Sequence, residues 1–194
     1  MNIFVLSQDP QEAARFHCNK HVVKMVLESG TMLCTAHWLH LLESEGKKLS
    51  DFKRVRDAQQ WLFENTPREN QPPWKMSHVR HPCTIWTCDN ISNYTWHLKL
   101  CESLLAEYKL RYKRNHKSED VAKWLRKNSP LNMRSAALTN FAVCMKDEYK
   151  VYYDECRLDP VASYRNYYLK DKVRFAKWEP LANTPIWFKG DQSE

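Results

Sequence analysis

The chain opens on an apolar, β-prone run, Asn2 to Leu6, that stops at Ser7-Gln8-Asp9-Pro10. Asp9 is placed to cap a helix, and Pro10 to occupy its first turn, where the missing N–H costs nothing. From there to about Ser44, apolar positions such as Ala14, Val22, Met25, Val26, Leu33 and Ala36 recur at three- and four-residue spacing. That period predicts one long first helix, bent or broken at Gly30 and closed by Gly46. A second helix is expected from Asp51 to about Glu64, ended by Thr66-Pro67, and Pro67 to Ser77 reads as a loop. His81-Pro82 opens a short helix through Cys88. Asp89 or Asn90 then caps a longer one from Ile91 to about Arg114, with Tyr94, Leu98, Cys101, Leu105 and Tyr108 on one stripe. Ser118 starts a further short helix ending near Asn128, residues 129–159 read as mostly irregular, and Asp159-Pro160 begins a helix to about Trp178. The expected fold class is mainly α: one helical domain over residues 1–194, with a short N-terminal extended segment, a long first helix and an extended C-terminal tail over residues 179–194.

Composition sharpens this picture by exclusion. Three glycines in 194 residues, far apart, rule out the Gly-rich phosphate loops of dinucleotide and P-loop folds. Seven cysteines form an odd set without CxxC spacing and follow no charged-then-apolar leader, which predicts reduced thiols in a cytoplasmic protein. No cofactor is expected. No apolar stretch approaches the length of a membrane span, so no membrane partner is expected. Thirty Lys and Arg against 23 Asp and Glu leave a net charge of +7, which favours a polyanionic partner, with DNA foremost. The sequence leaves the oligomeric state open.

The placement of charge carries more than its sum. His17, His21, Lys24 and Glu28 follow one another at offsets of 0, 4, 7 and 11, so on one continuous helix they share a face. Such a face is either a solvated polar stripe or a set of groups that serve one another and a substrate. Two histidines four apart, and His37 with His40, are a weak metal signal without further ligand spacing, and no metal is assigned. Arg80 and His81 lead into a helix N-terminus of the kind that receives a phosphate. Between Tyr164 and Trp178, aromatic residues alternate with Arg and Lys, a composition suited to gripping a nucleic-acid strand. In the tail, Trp187 and Lys189 sit in Pro185-Ile-Trp-Phe-Lys189, whose large rings dock on the domain or meet a ligand.

The long first helix behind a short N-terminal segment, the Pro-led segment His81-Pro82 through Arg114, and the closing Pro-x-Trp-aromatic-Lys run together resemble the phage pyrimidine-dimer DNA glycosylases with AP-lyase activity, the endonuclease V group. The resemblance implies a small, basic, helical phage enzyme in which an amine attacks deoxyribose C1′, displaces an exposed pyrimidine and leaves a Schiff base from which the strand is cleaved. The family's nucleophile is a processed N-terminal residue, whereas Asn2 leaves Met1 in place here. The family's early Arg-Glu pair has no counterpart either: this chain reads His21-Val-Val-Lys24, with Glu28 a turn later. The implied catalytic set is therefore the Met1 amine or Lys24 as nucleophile, with His17, His21 and Glu28 as acid/base groups. Arg80, His81, Arg165, Lys172 and Lys189 are the expected phosphate contacts, and Trp187, Tyr164 and Tyr168 the expected base-stacking rings. The alternatives are a noncatalytic phage nucleic-acid or host-factor binding protein and a helical nucleotide-modifying enzyme, with or without a metal.

Overall fold

A computed structural model describes residues 2–130 and 132–189. The architecture is mainly α. Eight helices are found among the described residues: α1 (Pro10–Phe16), α2 (Asn19–Ser44), α3 (Val55–Asn65), α4 (Pro82–Asp89), α5 (Ile91–Tyr112), α6 (Glu119–Lys127), α7 (Pro160–Tyr167) and α8 (Ile186–Lys189). The strands β1 (Val151–Tyr152) and β2 (Leu158–Asp159) form a minimal antiparallel pair, Val151 opposite Asp159. None of the described helices is long and apolar enough to cross a membrane.

The side chains expected to cap helices do so. Asp9 Oδ1 accepts from the Glu12 N–H at 2.7 Å, Asn90 Oδ1 from Ser92 and Asn93, and Asp159 Oδ1 from Ala162. Pro10, Pro82 and Pro160 each open their helix. Each pairing satisfies donors that a first helical turn leaves orphaned.

The 26 residues of α2 form the spine of the molecule. Its first turns enter a cluster with Val5, Leu6, Trp86, Trp96, Tyr164 and Trp178. Leu33 and Ala36 meet Tyr94 of α5 and Leu125 of α6, and Trp38 and Leu42 meet Ala58 and Leu62 of α3. Because these partners arrive from different sides, buried positions run around much of α2, which blurs the apolar stripe.

The helical break falls elsewhere than the pattern suggests. His17 and Cys18 are extended, with ψ of 132° and 161°, and separate α1 from α2, while Gly30 stays inside the helix. A Cβ on Gly30 would lie 2.7 Å from the Trp74 ring, so this glycine serves close packing. The corner at residues 17–18 is held by Arg111, whose side chain is wholly buried. Its guanidinium donates to the carbonyls of His17 (2.8 Å) and Arg15 (3.0 Å), to Asn19 Oδ1 (3.1 Å) and to Glu107 Oε2 (2.8 Å). Trp178 Nε1 donates to the Phe16 carbonyl beside it. The carbonyls left over at the end of α1 thus find partners in the core.

Three further expectations change. The Asn2–Leu6 run is buried without a strand partner, and Phe4 takes a positive φ of 38°. The helix from Pro160 stops at Tyr167 and passes into a π-helical turn, Tyr168–Lys172, well short of Trp178. The tail is not extended throughout, since Ile186–Lys189 makes a helical turn that buries Phe188 against Trp178. Residues 133–145 are irregular as expected and lie as a strap along α4 and α5. Ser92 and Asn93 side chains, rather than a sheet ladder, satisfy the strap's backbone at Ala136 and Thr139.

Replacing Arg111 with Ala strands the Glu107 carboxylate and two carbonyls. Urea denaturation is expected to show a loss of about 3–5 kcal/mol, the cost of breaking a buried pair. Arg111→Lys recovers only part of it, because one ammonium cannot span the same acceptors.

Candidate functional site

Four segments enclose a cleft of about 400 Å³: the N-terminal run at Asn2 and Phe4, α2 from Lys20 to Glu28, the strap at Cys144, and residues 167–175. Hydrogen bonds join them. The Asn2 backbone N–H donates to Glu28 Oε2 at 2.9 Å, and Asn2 Nδ2 donates to the Cys144 carbonyl at 2.8 Å. The other Glu28 oxygen pairs with Lys24 Nζ at 3.2 Å. Glu28 is thereby held as an oriented acceptor, with its side chain 11% exposed against 68% for Lys24.

The rim is cationic. Lys20 and Arg174 lie 5.3 and 5.1 Å from the centre of the Phe175 ring, and Lys172 bonds the Tyr167 hydroxyl at 2.9 Å and Asp171 at 2.8 Å. Four cations, Lys20, Lys24, Lys172 and Arg174, thus line the cleft with a single carboxylate, Glu28. That balance attracts an anionic ligand. Phe175 and Tyr167 add flat apolar wall. On its far side, Lys24 borders a second groove of about 1000 Å³, whose walls include Val23, Leu27, Trp74, Arg114 and Lys117. Lys24 is a ridge between the two depressions.

Of the expected catalytic set, His21, Lys24 and Glu28 meet in the cleft. Met1 lies outside the described residues. His17 does not join them, because the break after α1 takes it off the α2 face: it is wholly buried, with Nδ1 bonded to the Ala13 carbonyl at 2.7 Å. Burial lowers its pKa to about 4. His21 bonds the Tyr168 hydroxyl through Nδ1 and packs on Phe4 at 4.4 Å. Burial first, then the neighbouring His17, Lys172 and Lys24, lower its pKa to about 2. Burial thus favours the neutral form of both rings, and His21 forms part of the cleft wall.

The expected nucleic-acid contacts divide. Lys172 lies in the cleft. Tyr164 and Tyr168 are wholly buried, Tyr164 donating to the Ala142 carbonyl, so neither ring can stack on a base. Arg165 donates from Nε to the Leu6 carbonyl and lies 5.4 Å from both the Phe16 and Trp187 rings, outside the lining of the cleft. Trp187 is engaged by Phe16 and Tyr168. Lys189 is exposed near Glu179, on a depression bounded by Trp178 and Phe188 and separate from the cleft. Arg80 is exposed ahead of α4, and His81 caps α4, Nδ1 accepting from the Cys83 N–H. Conversely, Asn2, Lys20, Tyr167, Arg174 and Phe175 enter the cleft without having been assigned to it. Lys20 directly precedes His21 in the chain, and the last three lie within the interleaved aromatic-basic run.

The second histidine pair is engaged by the protein itself. His37 Nε2 bonds the Tyr94 hydroxyl at 2.8 Å and His40 Nε2 the Cys88 carbonyl at 3.1 Å. Among the described residues, the group able to hold a metal is His81, Cys83 and Cys144, whose ligand atoms lie within 4.8 Å of one another. The two sulfurs are 3.4 Å apart. Contact with Cys144, then burial, pushes the Cys83 thiol up, and the same contact lowers Cys144.

No family model, curated protein or solved structure matches the chain. Its chemistry therefore rests on its own geometry.

Burial lowers four histidines, His17 to about 4, His21 to about 2, and His37 and His97 to about 3. The unfolded chain takes up these protons near its ordinary value of about 6.5, while the folded chain cannot. Stability is therefore full above that value and falls as the pH drops from about 6.5 toward 4, by up to about 1.4 kcal/mol per pH unit per histidine. Urea midpoints at pH 7.5 and pH 5.5 are expected to show a marked fall; equal midpoints would contradict the burial of these rings.

Proposed function

We propose that the chain is a DNA glycosylase/AP-lyase-like enzyme acting on a damaged or modified pyrimidine, with the reaction in the Glu28 cleft. One observation carries this reading: a single oriented carboxylate, bonded to the second residue's backbone N–H, sits within a rim of four cations. Polyanion recognition needs the cations, and departure of a base from C1′ needs a nucleophile and a carboxylate beside the developing positive charge.

In this reading the nucleophile is the Met1 α-amine. An α-amino group has an ordinary pKa of about 7.7 to 8.0, against about 10.4 for lysine, so a useful fraction is neutral at pH 7. Asn2 bonds directly to Glu28, which favours the chain start over Lys24. The Lys24 side chain is 68% exposed and ion-paired, without the burial that would make a lysine a nucleophile. Lys24 acts instead with Lys20, Lys172 and Arg174 on the phosphates flanking the target. Glu28 stabilises the oxocarbenium-like sugar and manages the proton of the attacking amine. A cleft of about 400 Å³ falls within the usual range for small ligands of about 300–1,000 Å³, and Phe175 and Tyr167 offer walls for an extruded base.

Borohydride reduces an imine to a stable amine, so incubating the protein with abasic duplex DNA and borohydride is expected to trap a covalent adduct. Glu28→Gln is expected to lower adduct formation by about 10²-fold or more, the usual scale for a general acid/base group. Acetylation of the α-amine should abolish it, and Lys24→Ala should weaken DNA binding while preserving the adduct at saturating DNA. No adduct with wild-type protein rejects the lyase reading. An adduct that survives acetylation and is lost in Lys24→Ala reassigns the nucleophile.

A further inference from the structure

His81 and Cys83 sit at the start of α4, and Cys144 is brought to them by the strap, 61 positions beyond Cys83 in the chain. We propose that these three side chains form a zinc-binding site, a Cys2His set whose fourth position is reached from the Glu28 cleft, because Cys144 also lines that cleft.

The spacing suits the ion. Zinc bound tetrahedrally at about 2.3 Å from sulfur and 2.0–2.1 Å from nitrogen sets its ligand atoms roughly 3.5–3.8 Å apart. The sulfurs are already 3.4 Å apart, and every separation in the set is within 4.8 Å, so loading needs shifts of about an ångström. The Cys144 backbone is anchored independently of any metal, its N–H bonded to the Tyr164 hydroxyl at 3.3 Å and its carbonyl to Asn2 Nδ2. Loading gives up the Cys83 N–H bond to His81 Nδ1, because a neutral imidazole that ligates through either nitrogen keeps no lone pair to accept it.

Charge also balances. Zn²⁺ with two thiolates and a neutral imidazole carries no net charge, which permits burial at Cys83, itself wholly buried. Loading releases the two thiol protons to solvent. The ligand set with one position unfilled by protein is the arrangement of catalytic rather than structural zinc.

The test uses the full chain, purified under reducing conditions, loaded with Zn²⁺ and dialysed against metal-free buffer. Mass spectrometry of the metal is expected to find one zinc per chain, and Co²⁺ loading should give a sulfur-to-cobalt charge-transfer band. Retention should fall by more than about tenfold in Cys144→Ala and in His81→Gln. It should be unchanged in Cys156→Ala, which removes an exposed thiol elsewhere. Circular dichroism checks folding, and Cys144→Ser, closer in size, takes the place of any Cys144 variant that fails to fold. Wild-type protein that retains no zinc, cobalt without the thiolate band, or folded variants that bind as tightly as wild type each overturn the proposal. So does a Cys83–Cys144 disulfide that forms equally fast with and without Zn²⁺. No readout involves DNA, so failure here is distinguishable from failure of the lyase reading.

Discussion

The corner between α1 and α2 depends on one buried guanidinium. Arg111, anchored on α5 by Glu107, gathers the carbonyls of Arg15 and His17 together with the Asn19 side chain. These groups lie at the end of one helix and the start of the next, where backbone acceptors would otherwise be stranded in the core. Trp178 Nε1 on the Phe16 carbonyl, and Asn19 on the carbonyls of Lys177 and Trp178, hold the same corner from the other side. The angle puts His17 into the core, starts α2 at Asn19, and turns Lys20, Lys24 and Glu28 toward the N-terminal run. A structural arginine therefore sets which of the α2 side chains reach the cleft.

Within the cleft, different chemical tasks fall to groups in different environments. Burial keeps His21 neutral and bonded to Tyr168, so it contributes shape. Glu28 is mostly covered and receives a backbone N–H, which fixes its direction. Lys20, Lys24 and Arg174 stay closer to solvent, on the side where the proposed reading puts the phosphates, while Lys172 is nearly as covered as Glu28. Zinc at His81, Cys83 and Cys144 would add a Lewis-acidic position along the same wall.

Local chemistry made much of the fold legible. Asp9, Asn90 and Asp159, each just before or within a proline- or cap-led start, marked three helix N-termini because capping acts over three residues. The α1–α2 corner was not legible, since what breaks the helix there is Arg111, some ninety positions away. Gly30 was the more visible break signal, yet a tryptophan from a distant loop uses its missing side chain. The candidate site was legible as far as Glu28, Lys24 and His21, which share α2. His17 failed for the same reason as the corner. Tyr164, Tyr168 and Arg165 were misread because alternating rings and cations look alike whether they face a nucleic acid or a core. Cys144 carried no local signal, because its partners come from α4 and the N-terminal run.

At 1.5 Å per residue, the 26-residue α2 is roughly 39 Å long, a rigid rod that crosses three apolar clusters. The cleft residues occupy its first third and Trp38 and Leu42 its last. Packed along its whole length, such a rod holds Glu28 in place through contacts as far off as Trp38 and Leu42.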